Sequence, residues 1–171
     1  MGDRRFDFSM FCKFQWEADQ KCTPRFQRAP DWRDRLQATS MQWDGKTYKQ
    51  GWRGCLAFAS ACVDAQLLGG NAEVTVREKL IRAGNVGEVL REMLRGDFFD
   101  TMGYRIPIEN ASAGDVIQIE YVMAGSRRAS FGIIEPRKEM LQIFDLTGLS
   151  CTSLRDWLQT PYVFRAWRPG K

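Results

Sequence analysis

At 171 residues, with 44% hydrophobic and 27% charged side chains, the chain has the size and balance of a single ordinary globular domain. Its net charge is only +4 and the charges are interleaved, as in Arg33, Asp34 and Arg35, which speaks against a dedicated nucleic-acid surface. It contains no histidine, so neither a Ser-His-Asp nor a Cys-His catalytic machine can be built from this chain alone.

No apolar run is long enough to cross a bilayer, and the start, Met1 to Phe6, lacks the apolar stretch of a secretory signal, so no membrane insertion is expected. The five cysteines, Cys12, Cys22, Cys55, Cys62 and Cys151, are odd in number and show no CxxC spacing. That pattern argues against a disulfide framework or a zinc site and for reduced thiols in a cytoplasm. No cofactor or metal is expected.

Residues 1–29 alternate aromatics (Phe6, Phe8, Phe11, Phe14, Trp16, Phe26) with charges and hold no helical or strand period. They read as an N-terminal arm that orders against a neighbour or against its own domain, which would then span residues 30–171. Disordered segments are poor in such aromatics. A helix is expected over 31–41, with Asp31 as N-cap and Trp32, Leu36 and Met41 on one face. Asp44-Gly45 marks a turn. The strongest helix runs from Cys55 to Leu68; nearly every position is small or apolar, which predicts burial all round, and Gly69-Gly70-Asn71 ends it. Two more helices are expected over 73–83 and 86–94, then a loop over 103–113 with Pro107 as breaker.

After that loop the hydrophobic period changes to two. Strands are expected over 116–122, 128–134, 140–144 and 162–167, with turns at Ala124-Gly125-Ser126 and Pro136-Arg137-Lys138 and a short helix over 154–159. Helices followed by a meander of short strands define an α+β domain, an N-terminal helical layer packed on a small antiparallel sheet.

Taken together, these motifs resemble the NlpC-type, papain-like cysteine peptidases. Gly51-Trp52-Arg53-Gly54-Cys55 resembles the entry to the helix that carries the nucleophile. Ala113-Gly114-Asp115-Val116 resembles the loop-and-strand motif. Ser130-Phe131-Gly132-Ile133 resembles the strand with the pattern His-x-Gly-Ile, and Gln142 falls near the third catalytic position. The resemblance covers roughly residues 31–171. It is nearest to a divergent branch encoded among phage and prophage tail genes, which also tends to end in a short strand like Arg165-Ala166-Trp167.

In that family a thiol at a helix N-terminus is made nucleophilic by the helix dipole and by a histidine base, which a third polar group orients. Here Gly54 stands where the family usually has Asp, and Ser130 stands where it has His. Neither Ser130 nor Phe131 is a base near neutral pH. Cys55 is therefore expected to be a vestigial nucleophile and Gln142 either a leftover orienting group or an edge-strand polar residue. Cys62 reads as core and Asp115 as a turn former; Glu73, Glu78, Glu88 and Glu92 read as solvated charge.

The resemblance implies a non-catalytic structural part of a phage tail tip or baseplate. Such a protein would be assembled in the bacterial cytoplasm and carried in the virion, with other tail proteins as partners and peptidoglycan as a further binding target. The alternative is a peptidoglycan-degrading cysteine peptidase or amidase with Cys55 as nucleophile.

Overall fold

The computed structural model describes residues 23–48, 54–83 and 98–171. The helix expected over 86–94, residues 51–53 of the entry motif, and residues 1–22 with Cys12, Trp16 and Cys22 lie outside the described residues.

The elements in chain order are α1 (Trp32–Trp43), α2 (Cys55–Gln66), α3 (Ala72–Ala83), a 3-10 turn (Phe98–Thr101), β1 (Gly103–Ile106), a second 3-10 turn (Ile108–Asn110), β2 (Val116–Met123), β3 (Ser126–Ile134), β4 (Leu141–Asp145), β5 (Gly148–Thr152), α4 (Leu154–Leu158) and β6 (Val163–Pro169). The protein is an α+β domain with a six-stranded antiparallel sheet in the order β1-β6-β2-β3-β4-β5.

α2 lies against β3 and β4, and α1 packs on α2. Its small side chains let it do so: Ala57, Phe58, Ala59, Ala61, Cys62 and Val63 are all buried. The helix stops at Gln66, two residues earlier than expected, because Leu67 leaves it to form a bridge with Arg28. Asp64 then serves the next helix. Its carboxylate accepts hydrogen bonds from the N–H groups of Ala72 and Glu73, both at 2.8 Å, which satisfies donors that the first turn of α3 leaves open.

α1 turns Leu36, Ser40 and Trp43 inward. Two expectations for it are corrected. Asp31 precedes the helix but makes no side-chain capping bond, and Met41, expected on the buried face, is 68% exposed. The inward stripe instead includes the polar Ser40, which a hydrophobicity pattern passes over.

Paired strands share side-chain faces. Val116, Ala129, Phe131, Ile133, Phe144 and Trp167 form the face under the helices. Trp43 meets Phe144 edge-on at 4.9 Å, and Phe99 lies 5.6 Å from Trp167. Burying a side chain of this size stabilises the fold by about 1.5–3 kcal/mol. The opposite face presents Ile117, Ile119, Ile134, Leu141, Ile143 and Ala166, covered in part by Leu154 and Trp157 of α4.

β1 and β5 are additions to the expected strands. β1 occupies the start of the 103–113 stretch, paired with β6 from Gly103↔Pro169 to Ile106↔Ala166. Four residues are too few to register a period of two. β5 is an edge strand of Gly, Leu, Ser, Cys and Thr, whose weak hydrophobicity conceals it.

Residues 23–29, which fall within the segment read as an arm, are bonded into the domain. The N–H of Thr23 donates to Asp100 O, that of Arg25 to Thr101 O and that of Ala29 to Gln66 O; Gln27 O accepts from Leu68 and Phe26 O from Lys171. Ala29 is buried.

Candidate functional site

Cys55 is the first residue of α2. Gly54 before it is extended, with φ −149° and ψ −171°, and its carbonyl accepts the N–H of Phe58 at 3.0 Å. A Cβ at position 54 would come within 3.3 Å of the Tyr48 ring, so even the smallest side chain there presses on that ring. The Cys55 side chain sits where both faces of the sheet can be reached, packing against the two hydrophobic clusters.

The sulfur faces the main-chain N–H groups of Phe131, Leu56 and Cys55 itself, and each of them favours negative charge on it. Burial opposes them and dominates: it raises the Cys55 thiol above the ordinary cysteine range, and the carboxylate of Asp145 raises it further. The net result is a thiol and not a thiolate at neutral pH. A cysteine is activated by the reverse arrangement, a neighbouring cation and a lowered pKa. Cys62, one face of α2 further on, is fully buried and its pKa is raised well above the ordinary range by burial; it packs in the core as expected.

Ser130, expected at the base position, lies on β3 immediately before Phe131, whose main chain comes to Cys55. What meets the sulfur is the Phe131 N–H. Ser130 pairs with Ile119 of β2 and is half-buried on the face opposite the Phe131 ring.

Gln142 is placed elsewhere. It pairs with Ile133, so its side chain belongs to the helix-covered face and Ser130 to the other. Its Oε1 accepts a 2.7 Å bond from Ser40 Oγ of α1, and its Nε2 donates to Cys151 Sγ at 3.6 Å. β4 lies inside the sheet between β3 and β5. Gln142 is thus not an edge-strand residue; bonded to Ser40 and Cys151 on the face opposite Ser130, it ties α1 to β4.

The Ala113-Gly114-Asp115 turn is a packing junction. Gly114 has φ +88°, and a Cβ there would fall 2.5 Å from Gln66 Oε1 and 2.6 Å from the Trp32 ring, so only glycine fits. Gln66, fully buried, donates to Gly114 O at 2.8 Å and to Cys62 O at 3.2 Å, and accepts from Arg28 Nη2 at 2.8 Å. Arg28 stacks on Trp32 at 3.7 Å, and burial lowers its pKa to about 10. Asp115 is more than the turn former expected. It is fully buried and accepts the Ser112 N–H at 2.8 Å, Arg168 Nε at 3.1 Å and Arg168 Nη2 at 3.0 Å. The bond to Asp115 raises the Arg168 pKa.

Among the described residues, no group of three or more Cys, Asp and Glu side chains could hold a metal ion, and no helix is long and apolar enough to cross a membrane. The charges expected to be solvated are partly described: Glu73 accepts from Arg77 at 3.2 Å one turn on, and Glu78 is exposed.

Fold and site define an α+β domain whose partly accessible cysteine opens a buried helix against the central sheet. Residues 27–160 match the model of a family described as a domain of unknown function, DUF6950, and the chain belongs to that family. No curated protein and no solved structure matches it.

Proposed function

We propose that this protein is a non-catalytic structural component of a phage tail tip or baseplate, built on a papain-like, NlpC-type scaffold that has lost its peptidase chemistry. The observation that carries the loss of chemistry is the state of Cys55. Its sulfur is held as a neutral thiol by burial, the ionisable neighbour acting on it is the anion Asp145, and the chain has no histidine. Losing one member of a nucleophile-base unit removes most of its rate.

The tail assignment rests on the resemblance of motif order and of the closing Arg165-Ala166-Trp167 strand to the phage-tail branch. In this reading the protein is assembled in the host cytoplasm, carried in the virion, and contacts other tail proteins, with peptidoglycan as a possible ligand of the old substrate groove. The second reading, a peptidoglycan-degrading peptidase or amidase, is favoured by one feature, the N–H groups of Phe131, Leu56 and Cys55 that face the sulfur.

Two assays test the proposal. The purified full-length protein is incubated with peptidoglycan, and no cleavage is expected; turnover that disappears in Cys55→Ala overturns the non-catalytic reading. Purified phage particles from a host carrying the gene are analysed by mass spectrometry, and stoichiometric incorporation is expected; absence from the particles overturns the tail assignment.

A further inference from the structure

Arg165 stands half-buried on β6, the strand between edge strand β1 and β2. Its guanidinium has no hydrogen-bond or ion-pair partner among the described residues. Directly opposite it on β2 is Gln118. Gln118 is 1% exposed, and its Nε2 is buried without an acceptor. A buried amide donor is normally paired, so a missing partner calls for an explanation such as an absent ligand. The two side chains are in register and share one face of the sheet.

Two further guanidinium groups share that face, Arg105 on β1 across from Trp167 and Arg127 on β3 across from Val122. Each has a carboxylate. Arg105 donates to Asp100 Oδ1 and Oδ2, both at 2.9 Å, and Arg127 pairs with Glu120. Beside these pairs Arg165 has no carboxylate of its own among the described residues. Burial and the positive charges of Arg105 and Arg127 lower its pKa, partly countered by Asp100, so an anion placed beside it would relieve a strained cation.

We propose that Arg165 and Gln118 form a binding site for a single carboxylate, presented by a peptide or by an acidic side chain. A single guanidinium suits a monoanion better than a phosphate dianion. The planar fork of arginine grips a carboxylate through two parallel bonds, and the Gln118 amide supplies a further donor. The site gives a role to the arginine of Arg165-Ala166-Trp167. Trp167 is already engaged, donating from Nε1 to Asp100 Oδ1 at 2.7 Å. The inference goes beyond the tail assignment and does not depend on it.

The test uses the full-length protein and calorimetric titration with N-acetyl-alanyl-alanine (a free α-carboxylate), N-acetylglutamic acid α-amide (a side-chain carboxylate), the neutral N-acetyl-alanyl-alaninamide, and inorganic phosphate. One or both carboxylates are expected to bind, the tighter one naming the source, while the neutral amide does not. Arg165→Lys keeps the charge and loses the fork, and is expected to weaken binding about tenfold or more. Gln118→Leu removes only the unpartnered amide and is expected to weaken binding about tenfold with no loss of thermal stability. That second variant decides the matter should Arg165→Lys fold poorly. Binding of neither carboxylate, preference for phosphate, or unchanged carboxylate affinity in Gln118→Leu overturns the proposal.

Discussion

Ser40 on α1 donates a 2.7 Å hydrogen bond to Gln142 on β4, and that part-buried bond holds Gln142 on the face of the sheet opposite Ser130. The residue at the third position of the peptidase pattern therefore serves packing. Each of Ser40→Ala and Gln142→Leu is expected to lower stability by about 1 kcal/mol, with a coupling of similar size in the double variant. Urea unfolding checks this. The alkylation rate of Cys55 should not change in either variant; a change in Gln142→Leu would restore a role for Gln142 at the cysteine.

Asp115 is fully buried and Arg168 is its charged partner, with Arg168 41% exposed at the side chain. Arg168→Met leaves the carboxylate with the Ser112 N–H as its remaining donor among those described. Breaking a buried pair costs about 3–5 kcal/mol; solvent at Arg168 reduces this to about 2–3 kcal/mol here. Asp115→Asn in the same background should recover part of the loss, since it removes the stranded charge. A double variant no more stable than Arg168→Met contradicts this reading.

Because residues 23–29 are hydrogen-bonded to the 3-10 turn, to the end of α2 and to the last residue, truncation should have a sharp threshold. A chain beginning at Thr23 is expected to unfold cooperatively. One beginning at Pro30 also loses Ala29, the Arg28–Gln66 bond and the Arg28–Trp32 stack, and its midpoint of thermal unfolding should fall by several degrees or more. Equal midpoints for the two truncations would separate residues 23–29 from the domain energetically.

The raised pKa values of Cys55 and Cys62 fix the sign of a pH effect. As pH rises from about 8, the thiols of the unfolded chain ionise ahead of these two in the folded state. The folded state then binds more protons, so stability must fall as pH rises. Arg28 acts in the opposite sense above its folded pKa of about 10, which sets the upper end of the window. Urea titrations at pH 8 and pH 10 should show the loss, and it should shrink in a Cys55→Ser, Cys62→Ala variant. An unchanged pH slope in that variant assigns the effect to other groups.

The buried helix at Cys55 and the strands β2 and β3 were legible because each writes its pattern over eight or more residues, and β4 and β6 because apolar side chains recur along them. β1 was not, being four residues long, nor was β5, whose Gly, Ser, Cys and Thr leave Leu149 as its one large apolar side chain. Motif order expected Ser130 at the base position facing Cys55; the group that faces the sulfur is the Phe131 N–H. Gln142 was misplaced by strand parity. The β3–β4 hairpin pairs Ile133 with Gln142 and closes with the Glu135 N–H bonded to Met140 O. A turn centred on Arg137-Lys138 therefore sends Gln142 to one face and Ser130 to the other. That turn was visible in the sequence, and counting outward from it finds Asp145, three residues past Gln142, on the Ser130 side. The pairing of Asp115 with Arg168 spans 53 positions, and no local pattern carries it.

The proposed loss of peptidase chemistry is tested most directly by the ionisation of Cys55. The rate of its alkylation by iodoacetamide is followed from pH 6 to pH 10 in a Cys151→Ser background, with peptide mapping to assign the modified residue. Slow alkylation at pH 7, rising only above the ordinary thiol range near pH 8.5–9, is expected from a partly accessible thiol with a raised pKa. Rapid alkylation at pH 7 with an inflection below that pH would reveal an activated thiolate and contradict the non-catalytic reading.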